Sequence, residues 1–342
     1  MKDYSVLITG ATGAVGREVL KQLYAKQSAS SITVFVQPSK KTKKILRPYS
    51  GINIVYGTIT NREDLNKACQ NQDYVIHLAA IIPPLADDEP EITNNVNIEG
   101  TKNVVAAIEE FSPNAFLLYS SSVACYGDRM KSPDIYTTDP LTPSVGDEYA
   151  ITKIAAEKLI RESKLNWTIY RLSAIMGIGN HKMSKLMFHM PLETIMEICT
   201  VEDTARAFVN SIGKHDELLH KTFNLGGGEN CRIIYKDFIS RAFHAYGMGK
   251  IDFPAKAFAE INFHCGNYAD GHLLEDILSF RKDTIDSYFE QFAAAVPSIQ
   301  RFATKLVNKP VKKVLVRASE PLQAIKKNDK AMLERFFGTT GN

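Results

Sequence analysis

The stretch DEYAITKIAAEK, residues 147–158, places a phenol and an ammonium group four residues apart, at Tyr149 and Lys153. On a helix, residues with this spacing share a face, so the two side chains project to the same side. A nearby ammonium group favours the phenolate, and we expect it to lower the pKa of the tyrosine from its usual value of about 10. A phenol with a lowered pKa can both donate and accept a proton, so the pair indicates acid/base chemistry.

A glycine-rich loop early in the chain, TGATGAVG, carries Gly10, Gly13 and Gly16 between a predicted strand and a predicted helix. Glycines at such a junction let the backbone turn sharply and approach a pyrophosphate, whose charge is met by free N–H groups at the positive end of the helix. The loop opens a strand–helix–strand unit, which is the context of a dinucleotide site. The alternative is a tight turn without a ligand.

The end of the second predicted strand indicates which dinucleotide would bind. NAD sites usually place an acidic residue there for the ribose 2′-hydroxyl, whereas the 2′-phosphate of NADP needs cations. The strand ends at Gln37, without a carboxylate, and four lysines follow it, Lys40, Lys41, Lys43 and Lys44. This favours NADP(H). NAD(H) is possible if the lysines form a solvated loop and Gln37 binds an unphosphorylated ribose.

Spacing alone does not identify Tyr149 and Lys153, because Tyr246 and Lys250 have the same separation in YGMGK. Two glycines in that segment argue against a helix there. Only the first pair follows a predicted strand that ends in YSSS, residues 119–122. The serine hydroxyl groups are expected at the carboxyl edge of the sheet, over the nicotinamide ring of a bound dinucleotide.

These residues need a scaffold, and the first part of the chain alternates apolar strands with amphipathic helices. Strands are predicted at YSVLITG, SITVFV, GINIVYG, DYVIHLAA, NAFLLYSSS and NWTIYRLSAIMG. Helices are predicted at VGREVLKQLYAK, REDLNKACQ, NNVNIEGTKNVVAAIEEF and residues 147–164. Repeated strand–helix–strand units require crossover connections, so we expect an α/β fold with a doubly wound parallel sheet.

After about residue 176 this alternation changes. VEDTARAFVNSI predicts a helix and KTFNLGGG a strand that could rejoin the sheet. We expect a dinucleotide-binding domain of residues 1–176 plus 197–228, and a smaller, mostly helical lid and C-terminal substrate domain of residues 177–196 plus 229–342. Two proline-flanked segments, PSKKTKKILRPYSG and IIPPLADDEPE, are predicted to be exposed loops.

Composition limits the other classes of function. The chain has 342 residues, 44% of them hydrophobic, and a formal charge of only +3, so its overall charge does not require nucleic acid. We find no apolar run that could span a bilayer and no signal peptide, and the five scattered cysteines suit a reducing cytoplasm. His181, His189 and His264 lack the spacing of metal ligands, so we expect no metal site, and we expect His77 to be a core-edge residue of the sheet rather than a catalyst.

The segment from residue 301 onward is strongly basic, with ten basic and three acidic residues and hence a net charge of +7. Apolar residues are interleaved with these charges, among them Phe302, Leu306 and Val314. Such a segment could associate with a membrane surface or a partner. The alternative, more usual for charge runs, is a solvated extension whose apolar side packs on its own chain.

Taken together, the motifs resemble the short-chain dehydrogenase/reductases, specifically the extended branch. This branch includes nucleotide-sugar epimerases and dehydratases, hydroxysteroid dehydrogenases and plant-type ketone reductases. The resemblance covers about residues 1–228 and rests on TGATGAVG, VIHLAA, NVNIEGTKNVV, YSSSVACYG, YAITKIAAEK, YRLSAIMG and VEDTARAF, in the order typical of the family.

The resemblance implies a role for each catalytic candidate. Tyr149 is the implied general acid/base, Lys153 holds the ribose hydroxyls and lowers the phenol pKa, and Ser122 hydrogen-bonds the reacting oxygen. Asn97 supports the central helix near the site. The implied contacts with the dinucleotide, besides Tyr149 and Lys153, are Gly10, Thr12, Gly13, Ala14, Val15, Gly16, Gln37, Lys40, Thr58, Ile59, Leu78, Ala79, Ala80, Leu172 and Ser173.

The chain departs from the family pattern at two places. Where the family has Gly-Asp after the third strand, this chain has Gly57 and Thr58, so the adenine contact falls to the Thr58 hydroxyl or the Ile59 backbone, a loss of about 1 kcal/mol. On the substrate side, Ser173 stands near the usual asparagine, and Glu197 stands near the cation that grips a diphosphate in nucleotide-sugar enzymes. A carboxylate there would repel a diphosphate.

We therefore predict an NADP(H)-dependent oxidoreductase acting on a carbonyl or hydroxyl group of a small, largely uncharged substrate. Met and Phe in HKMSKLMFHMPLETIM and FPAKAFAEINFHCGNYADG would form an apolar lid, although each could equally be a packing residue. Two alternatives stay open: a nucleotide-sugar epimerase or dehydratase with tightly held NAD, and a dinucleotide-sensing protein without turnover. The resemblance also implies a homodimer through helices 95–111 and 147–164.

Overall fold

A computed structural model describes residues 4–26, 29, 31–179 and 184–338. The strands in these ranges are β1 (Ser5–Thr9), β2 (Ser31–Val36), β3 (Asn53–Tyr56), β4 (Tyr74–His77), β5 (Phe116–Ser122), β6 (Asp134–Ile135), β7 (Asn166–Leu172), β8 (Ala174–Met176), β9 (Ile195–Thr200), β10 (Lys221–Leu225), β11 (Arg232–Ile234) and β12 (Asn267–Tyr268). The α-helices are α1 (Ala14–Lys26), α2 (Lys40–Leu46), α3 (Arg62–Ala68), α4 (Leu85–Asp88), α5 (Pro90–Asn94), α6 (Gly100–Phe111), α7 (Glu148–Glu162), α8 (Val201–Asn210), α9 (His215–Leu218), α10 (Tyr235–Tyr246), α11 (His272–Leu278), α12 (Ile285–Ala295), α13 (Ser298–Arg317), α14 (Glu320–Lys327) and α15 (Lys330–Phe337). A π-helical turn, Asn95–Glu99, runs into α6.

The central sheet has the strand order β3-β2-β1-β4-β5-β7-β10, and all its neighbouring strands are parallel. Successive residues of β1 serve opposite faces: Val6 and Ile8 join one buried apolar cluster, whereas Leu7 joins another. Side chains alternate along a strand, so a strand buried on both faces needs an uninterrupted apolar run. The predicted fold class, an α/β doubly wound parallel sheet with a helical C-terminal region, is confirmed.

The register of the central strands brings their carboxyl ends to one edge. Thr9 pairs with His77, His77 with Tyr119, and Tyr119 with Ile169. The loops after β1 and β4 therefore begin side by side, and β5 and β7 continue together for three more residues at the same edge. In open α/β sheets this edge is where ligands bind.

The C-terminal region has its own apolar core, built largely from aromatic side chains that include Phe188, Phe243, Phe258, Tyr288 and Phe292. It also contains two strands that were not predicted from the sequence, β9 and β11. β11 pairs antiparallel with β9, and β9 pairs with β8. β9 covers Ile195 and Met196 of the predicted lid, which therefore lie in a small sheet. Residues 180–183 of that lid, with His181, lie outside the described residues.

The two predicted loops contain helices. In PSKKTKKILRPYSG, the Ser39 side chain caps α2 by accepting a hydrogen bond from the Thr42 backbone N–H at 2.9 Å, and Thr42 and Leu46 face the protein interior four residues apart. A serine cap followed by buried residues at helical spacing starts a helix despite the flanking prolines. IIPPLADDEPE contains α4 and the start of α5.

Gly10 provides a test of how tightly the first loop packs on the loop after β4. Its φ is +72°, and a Cβ there would lie 2.7 Å from the Ala79 nitrogen, whereas Gly51 has φ +79° and nothing within 4 Å. Left-handed backbone costs an alanine about 1–2 kcal/mol at either site, and only at Gly10 is a packing clash added. We expect Gly51→Ala to lower the free energy of unfolding by about 1 kcal/mol, and Gly10→Ala by about 3 kcal/mol or more. Equal losses in urea unfolding would contradict this packing.

Candidate active site

The glycine loop lies between the end of β1 and the start of α1, packed closely on itself. A Cβ at Gly16 would overlap the Gly10 carbonyl oxygen, so the first helical turn lies directly against the loop. The Gly13 N–H donates to the Gly10 carbonyl at 3.0 Å, which closes the turn. The first N–H groups of α1 have no partner within the helix and point toward the loop. Thr12, Ala14 and Val15, predicted to contact a dinucleotide, are partly exposed around these groups.

The predicted ribose and adenine contacts follow β2 and β3, on the same edge. Gln37 and the four lysines of the α2 region are exposed, and none of these lysines forms an ion pair within the described residues. Thr58 is held from both sides: its N–H donates to Asp64 Oδ2 at 2.9 Å, and its hydroxyl lies 2.9 Å from that of Thr60. The Ile59 side chain packs against Gly100 and is buried. Asp64 thus brings a carboxylate beside Gly57 and Thr58, where the family pattern has an aspartate one residue after the glycine.

Leu78, Ala79 and Ala80 continue β4 toward the site, and Asn97 holds the segment that follows them. The Asn97 side chain accepts from the Ile81 N–H at 2.8 Å and donates to the Ile81 carbonyl at 3.0 Å. It also donates to the Thr152 hydroxyl at 3.0 Å, one residue before Lys153. The loop after β4 is therefore tied to the middle of α7.

His77 is a core residue, as expected. It is fully buried, 2.6 Å from the Thr9 hydroxyl and 3.1 Å from the Thr101 hydroxyl. Burial lowers the pKa of His77 to about 3, so the imidazole is neutral at physiological pH. Among the described residues, no three His, Cys, Asp or Glu side chains gather as a metal site requires.

Helix α7 carries Tyr149 in its first turn and Lys153 in its second. The Asp147 carboxylate caps the helix by accepting from the Ala150 N–H at 2.9 Å. Lys153 is only 2% exposed, and its Nζ donates to the Ser120 carbonyl at 2.7 Å and to the Tyr119 hydroxyl at 3.3 Å. The same Nζ lies 5.8 Å from the centroid of the Tyr149 ring. The two residues share a face, as their spacing predicts.

Ser122 is the last residue of β5 and completes the group. Its side chain accepts from the Ala124 N–H at 3.1 Å, and its hydroxyl lowers the pKa of the Tyr149 phenol. The structure therefore brings Ser122, Tyr149 and Lys153 together at the carboxyl end of β5, next to the loops after β1 and β4.

The expected lowering of the Tyr149 pKa by Lys153 does not occur in the folded chain. Burial raises the pKa of Tyr149 above its usual value, and the hydrogen bond with Ser122 offsets only part of that rise. Burial also lowers the pKa of Lys153 to about 8. The ammonium is directed at the carbonyl of Ser120 rather than at the phenol, so desolvation outweighs its field at Tyr149. The phenol is consequently neutral at pH 7 and can donate a proton.

One further turn along α7, the buried carboxylate of Glu157 joins the site to the sheet. Arg171 of β7 donates to it twice, at 2.9 and 2.8 Å, Ser121 donates at 2.5 Å and Arg161 at 3.0 Å. Burial alone would raise the pKa of Glu157, but the hydrogen bonds and charge of Arg171 reverse the shift and lower it. Glu157 is not among the predicted site residues, although it follows Lys153 by four positions and so lies on the same helix face.

The hydrogen bonds continue from Arg171 into the C-terminal region. Arg171 donates to the Tyr126 hydroxyl at 2.8 Å, Tyr126 donates to Asn224 at 2.7 Å, and Asn224 donates to Asp270 at 2.8 Å. This polar chain connects β7, β10 and the segment before α11. It fixes the turn that follows Ser122 and carries Tyr126 relative to the rest of the fold.

The predicted contacts after β7 are placed differently from one another. Leu172 is partly exposed, whereas Ser173 is buried, with its N–H donating to the Leu225 carbonyl at 2.9 Å. Within the described ranges the Ser173 hydroxyl has no hydrogen-bond partner. A buried hydroxyl without a partner is unusual, and it marks this position as one that a ligand could complete.

Glu197 does not have the role that the sequence analysis gave it. Its carboxylate is buried and accepts from the backbone N–H groups of Gly228 at 2.9 Å and Tyr268 at 3.1 Å, and from the Arg232 side chain at 3.1 Å. Its charge is compensated inside the small sheet, so it does not repel a ligand. Glu197 therefore does not prevent a diphosphate from binding by charge repulsion.

A cavity of about 470 Å³ lies in the C-terminal region, and both predicted lid segments line it. Its apolar wall includes Met130, Leu192, Phe253, Ala257 and Phe258. Ser122 and Tyr149 do not line this cavity, but Met130 belongs to the loop that leaves β5 after Ser122, and the Thr194 hydroxyl donates to its sulfur at 3.2 Å. The cavity size falls in the usual range for small-molecule sites.

Comparison with known proteins places this geometry in context. The model of the NAD dependent epimerase/dehydratase family matches residues 6–226, more than half of the chain. A 3-beta-hydroxysteroid dehydrogenase of Mycolicibacterium neoaurum is 29% identical over 196 residues, 54% of this chain and 50% of that protein. A decarboxylating sterol-4-alpha-carboxylate 3-dehydrogenase of Candida albicans is 29% identical over 191 residues, 52% of this chain and 53% of that protein. The chain thus spans about half the length of these relatives.

Solved structures share the fold at lower identity. A short-chain dehydrogenase/reductase superfamily protein of Agrobacterium tumefaciens with bound NAD superposes with a TM-score of 0.65 at 19% identity, covering 89% of this chain and 99% of that one. A dTDP-glucose 4,6-dehydratase of Streptomyces venezuelae with NAD bound gives 0.71 at 17% identity, covering 85% and 96%. At these identities the likeness concerns the fold.

The Glu157 network predicts a large loss of stability when its charge is removed. We expect Glu157→Gln to lower the free energy of unfolding by about 3 kcal/mol, because Arg171 is left buried without a counter-charge. Glu162→Gln is the matched control on the same helix; Glu162 is 63% exposed and its contact with Lys158 is 3.9 Å, so we expect a change below about 0.5 kcal/mol.

The pH dependence of the free energy of unfolding, compared between wild type and Glu157→Gln, tests the same network a second way. Because folding lowers the pKa of Glu157, its stabilising effect is complete above the unfolded value of about 4.3 and is lost as the pH falls through the lower folded value. The stability difference between wild type and Glu157→Gln should therefore be constant from pH 7 to about 5 and shrink below about 4. A difference that stays the same at pH 3 would show that the carboxylate charge is not responsible.

Proposed function

Because the chain belongs to the NAD dependent epimerase/dehydratase family, whose members are enzymes, we propose that it is an NADP(H)-dependent oxidoreductase acting on a carbonyl or hydroxyl group of a small, largely uncharged substrate. The observation that carries the proposal is the meeting of Ser122, Tyr149 and Lys153 beside the glycine loop. The residues around that loop fit a nicotinamide dinucleotide, since Gly10 and Gly16 leave no room for a Cβ and the first amides of α1 are available to a phosphate. When bound, the dinucleotide supplies or accepts the hydride.

Tyr149 and Ser122 manage the proton and the charge at the substrate oxygen. The neutral phenol of Tyr149 gives its proton to that oxygen in the reductive direction, and takes one in the oxidative direction. The Ser122 hydroxyl hydrogen-bonds the same oxygen and polarises it. Ser122 ends β5, and Tyr149 lies in the first turn of α7, the helix that Lys153 attaches to the end of β5, so we propose that one substrate oxygen contacts both hydroxyl groups.

Lys153 positions the cofactor ribose in this proposal. An ammonium group has three donors, and two of them are used by the Ser120 carbonyl and the Tyr119 hydroxyl. The third remains for ribose hydroxyls. Burial brings the pKa of Lys153 to about 8, so the side chain is still mostly charged at pH 7.

The preference for NADP(H) rests on the region after β2. No carboxylate follows Val36 there, and Lys40, Lys41, Lys43 and Lys44 are exposed around the short helix α2. Exposed cations without ion-pair partners among the described residues are suited to a 2′-phosphate. Gln37, also exposed, is placed to reach the ribose.

The substrate class rests on the cavity and on the curated relatives. The apolar wall of the cavity suits a hydrophobic body, and the two relatives are named for steroid and sterol substrates. We propose that the reacting oxygen binds at Ser122 and Tyr149 while the apolar body extends toward Met130. The nucleotide-sugar enzymes among the solved structures share less than 20% of their residues with this chain, and so favour no substrate.

The organisation predicted from the sequence is kept as part of the proposal. It comprises a dinucleotide-binding domain of residues 1–176 plus 197–228, a lid and substrate domain of residues 177–196 plus 229–342, and a homodimer through the helices of residues 95–111 and 147–164. A cytoplasmic location remains a prediction.

Two measurements separate the candidate functions. Native mass spectrometry of the freshly purified chain weighs any retained dinucleotide, and a carbonyl panel measures NADPH consumption. The proposed oxidoreductase should exchange its dinucleotide readily and consume NADPH with apolar ketones. An epimerase or dehydratase would retain NAD through purification and cause no net NADPH oxidation. A dinucleotide-sensing protein would bind NADPH and turn over nothing in a broad carbonyl panel.

Replacing Tyr149 tests the acid/base role directly. We expect Tyr149→Phe to lower kcat by about 10²–10⁴-fold while NADPH affinity stays within about twofold, because the phenol acts on the substrate oxygen. Tyr246→Phe is the matched control, since Tyr246 precedes a lysine by the same four residues but ends α10 far along the chain. It should leave kcat unchanged. Full turnover by Tyr149→Phe would exclude the mechanism.

Charge removal at α2 tests the cofactor preference. We expect Lys40→Gln/Lys41→Gln to weaken NADPH binding about tenfold or more and to leave NADH binding unchanged, because only NADPH has the 2′-phosphate for these cations. Lys67→Gln, on α3, is the control and should alter neither. Isothermal titration calorimetry gives both affinities. Equal weakening for the two dinucleotides would argue against phosphate recognition.

A further inference from the structure

Helix α13, Ser298–Arg317, is a helix of 20 residues with two different faces. One face packs on the C-terminal core through Val311, Leu315 and Val316. On this face the buried Lys312 donates to the Lys250 carbonyl at 2.6 Å and pairs with Asp252. The alternative considered from the sequence, an extension whose apolar side packs on its own chain, describes this face.

The opposite face of α13 is apolar and exposed. Ile299 is 85% exposed, Leu306 71%, Phe302 65% and Val314 63%. These residues recur at separations of three, four and eight, so they form one stripe along the helix. Apolar residues scattered singly on a surface are ordinary, but a continuous stripe of large ones marks an interaction site.

A row of cations runs along one flank of this stripe. Lys305, Lys309, Lys313 and Arg317 are exposed and follow one another at four-residue spacing. The helix sequence SIQRFATKLVNKPVKKVLVR contains no acidic residue, and none of these four cations forms an ion pair within the part of the chain that the structure describes. Like charges at this spacing repel one another, so the row is most stable when an external anionic surface neutralises it.

We propose that the exposed face of α13 binds the surface of an anionic lipid bilayer. A helix lying in the plane of a membrane buries apolar side chains at the boundary of headgroups and acyl chains and directs lysines to anionic headgroups. Ile299, Phe302 and Leu306 are the apolar side chains that the membrane would bury. Lys309 and Lys313 are the lysines that would meet the anionic headgroups. Among the described residues, the structure has no helix with the length and apolar content of a membrane span.

The charges favour a bilayer over the other occupants. A second copy of the chain, related by a twofold axis, would bring the cation row close to itself, and the resulting repulsion has no acidic residue on the helix to relieve it. A nucleic acid would meet the cations but leave the central apolar stripe against phosphates. Because α13 is already packed on the protein, binding also avoids the cost of ordering a free segment.

Vesicle cosedimentation of the full chain tests this proposal. We expect strong binding to phosphatidylcholine vesicles that contain about 30% phosphatidylserine, weak binding to phosphatidylcholine alone, and loss of binding as salt rises from about 50 to 500 mM. Lys309→Gln/Lys313→Gln should weaken binding about 30-fold, equivalent to about 1 kcal/mol for each cation. Phe302→Ser/Leu306→Ser should weaken it about tenfold or more at every salt concentration.

Matched controls lie on other faces of the molecule. Lys67→Gln/Lys236→Gln removes two exposed lysines from α3 and α10, and Leu273→Ser removes a half-exposed leucine from α11. Both should bind vesicles as the wild type does, and thermal unfolding should show that all variants fold.

Three outcomes would overturn the proposal. The first is equal binding to neutral and anionic vesicles, and the second is unchanged binding by both α13 variants. The third is a wild-type dimer that Phe302→Ser/Leu306→Ser converts to a monomer without any vesicle binding, which would assign the face to a second copy. Vesicle binding needs no turnover, so its result is independent of the enzymatic proposal.

Discussion

The site depends on one interaction, the hydrogen bond from the buried ammonium group of Lys153 to the Ser120 carbonyl. This hydrogen bond, at 2.7 Å, attaches the second turn of α7 to the end of β5. Because a helix is rigid over one turn, this attachment also determines the position of Tyr149. Tyr149 lies beside Ser122, and Ser122 follows Ser120 by two residues on β5. Asn97 strengthens the arrangement by joining Thr152 to the loop after β4. The catalytic candidates are therefore positioned by a contact between backbone and ammonium rather than by one another.

The buried charged groups of this protein differ in how many hydrogen bonds and opposite charges surround them. This difference separates the groups that hold the fold together from the group that can still bind a ligand. Glu157 receives hydrogen bonds from Arg171, Ser121 and Arg161, and its pKa falls despite burial. Glu197 is surrounded by donors in the same way. Lys153 has only neutral partners, and burial lowers its pKa to about 8. A buried cation with an unused donor can still gain stability from a ligand, whereas a saturated carboxylate cannot.

The C-terminal region completes the site from one side and presents a surface on the other. His264 lies 3.3 Å from the Asp147 carboxylate that caps α7, and Arg335 of α15 lies against Gly146. The same region contains the apolar cavity and the packed face of α13.

The sequence alone determined the features that depend on local patterning. Apolar runs of buried strands, helical periodicity and a glycine loop at a strand-to-helix junction suffice to predict the parallel sheet, its edge and the pairing of Tyr149 with Lys153, because each pattern reports on residues close in the chain. The flanking prolines predict a loop over PSKKTKKILRPYSG, whereas the Ser39 cap starts α2 there. The second sheet depends on pairing between β9 and β11 across more than thirty residues, which no local pattern reports.

Only the tertiary structure decided what each charge does. From the sequence, Lys153 should lower the pKa of Tyr149 and Glu197 should repel an anion, since both inferences assume that a charge acts on its nearest functional neighbour. In the folded chain Lys153 faces a backbone carbonyl, Glu197 is neutralised by Arg232 and two backbone amides, and Glu157 takes the central ionic role. Desolvation and hydrogen-bond partners set the energy of a buried charge, and both depend on residues that are distant in the sequence.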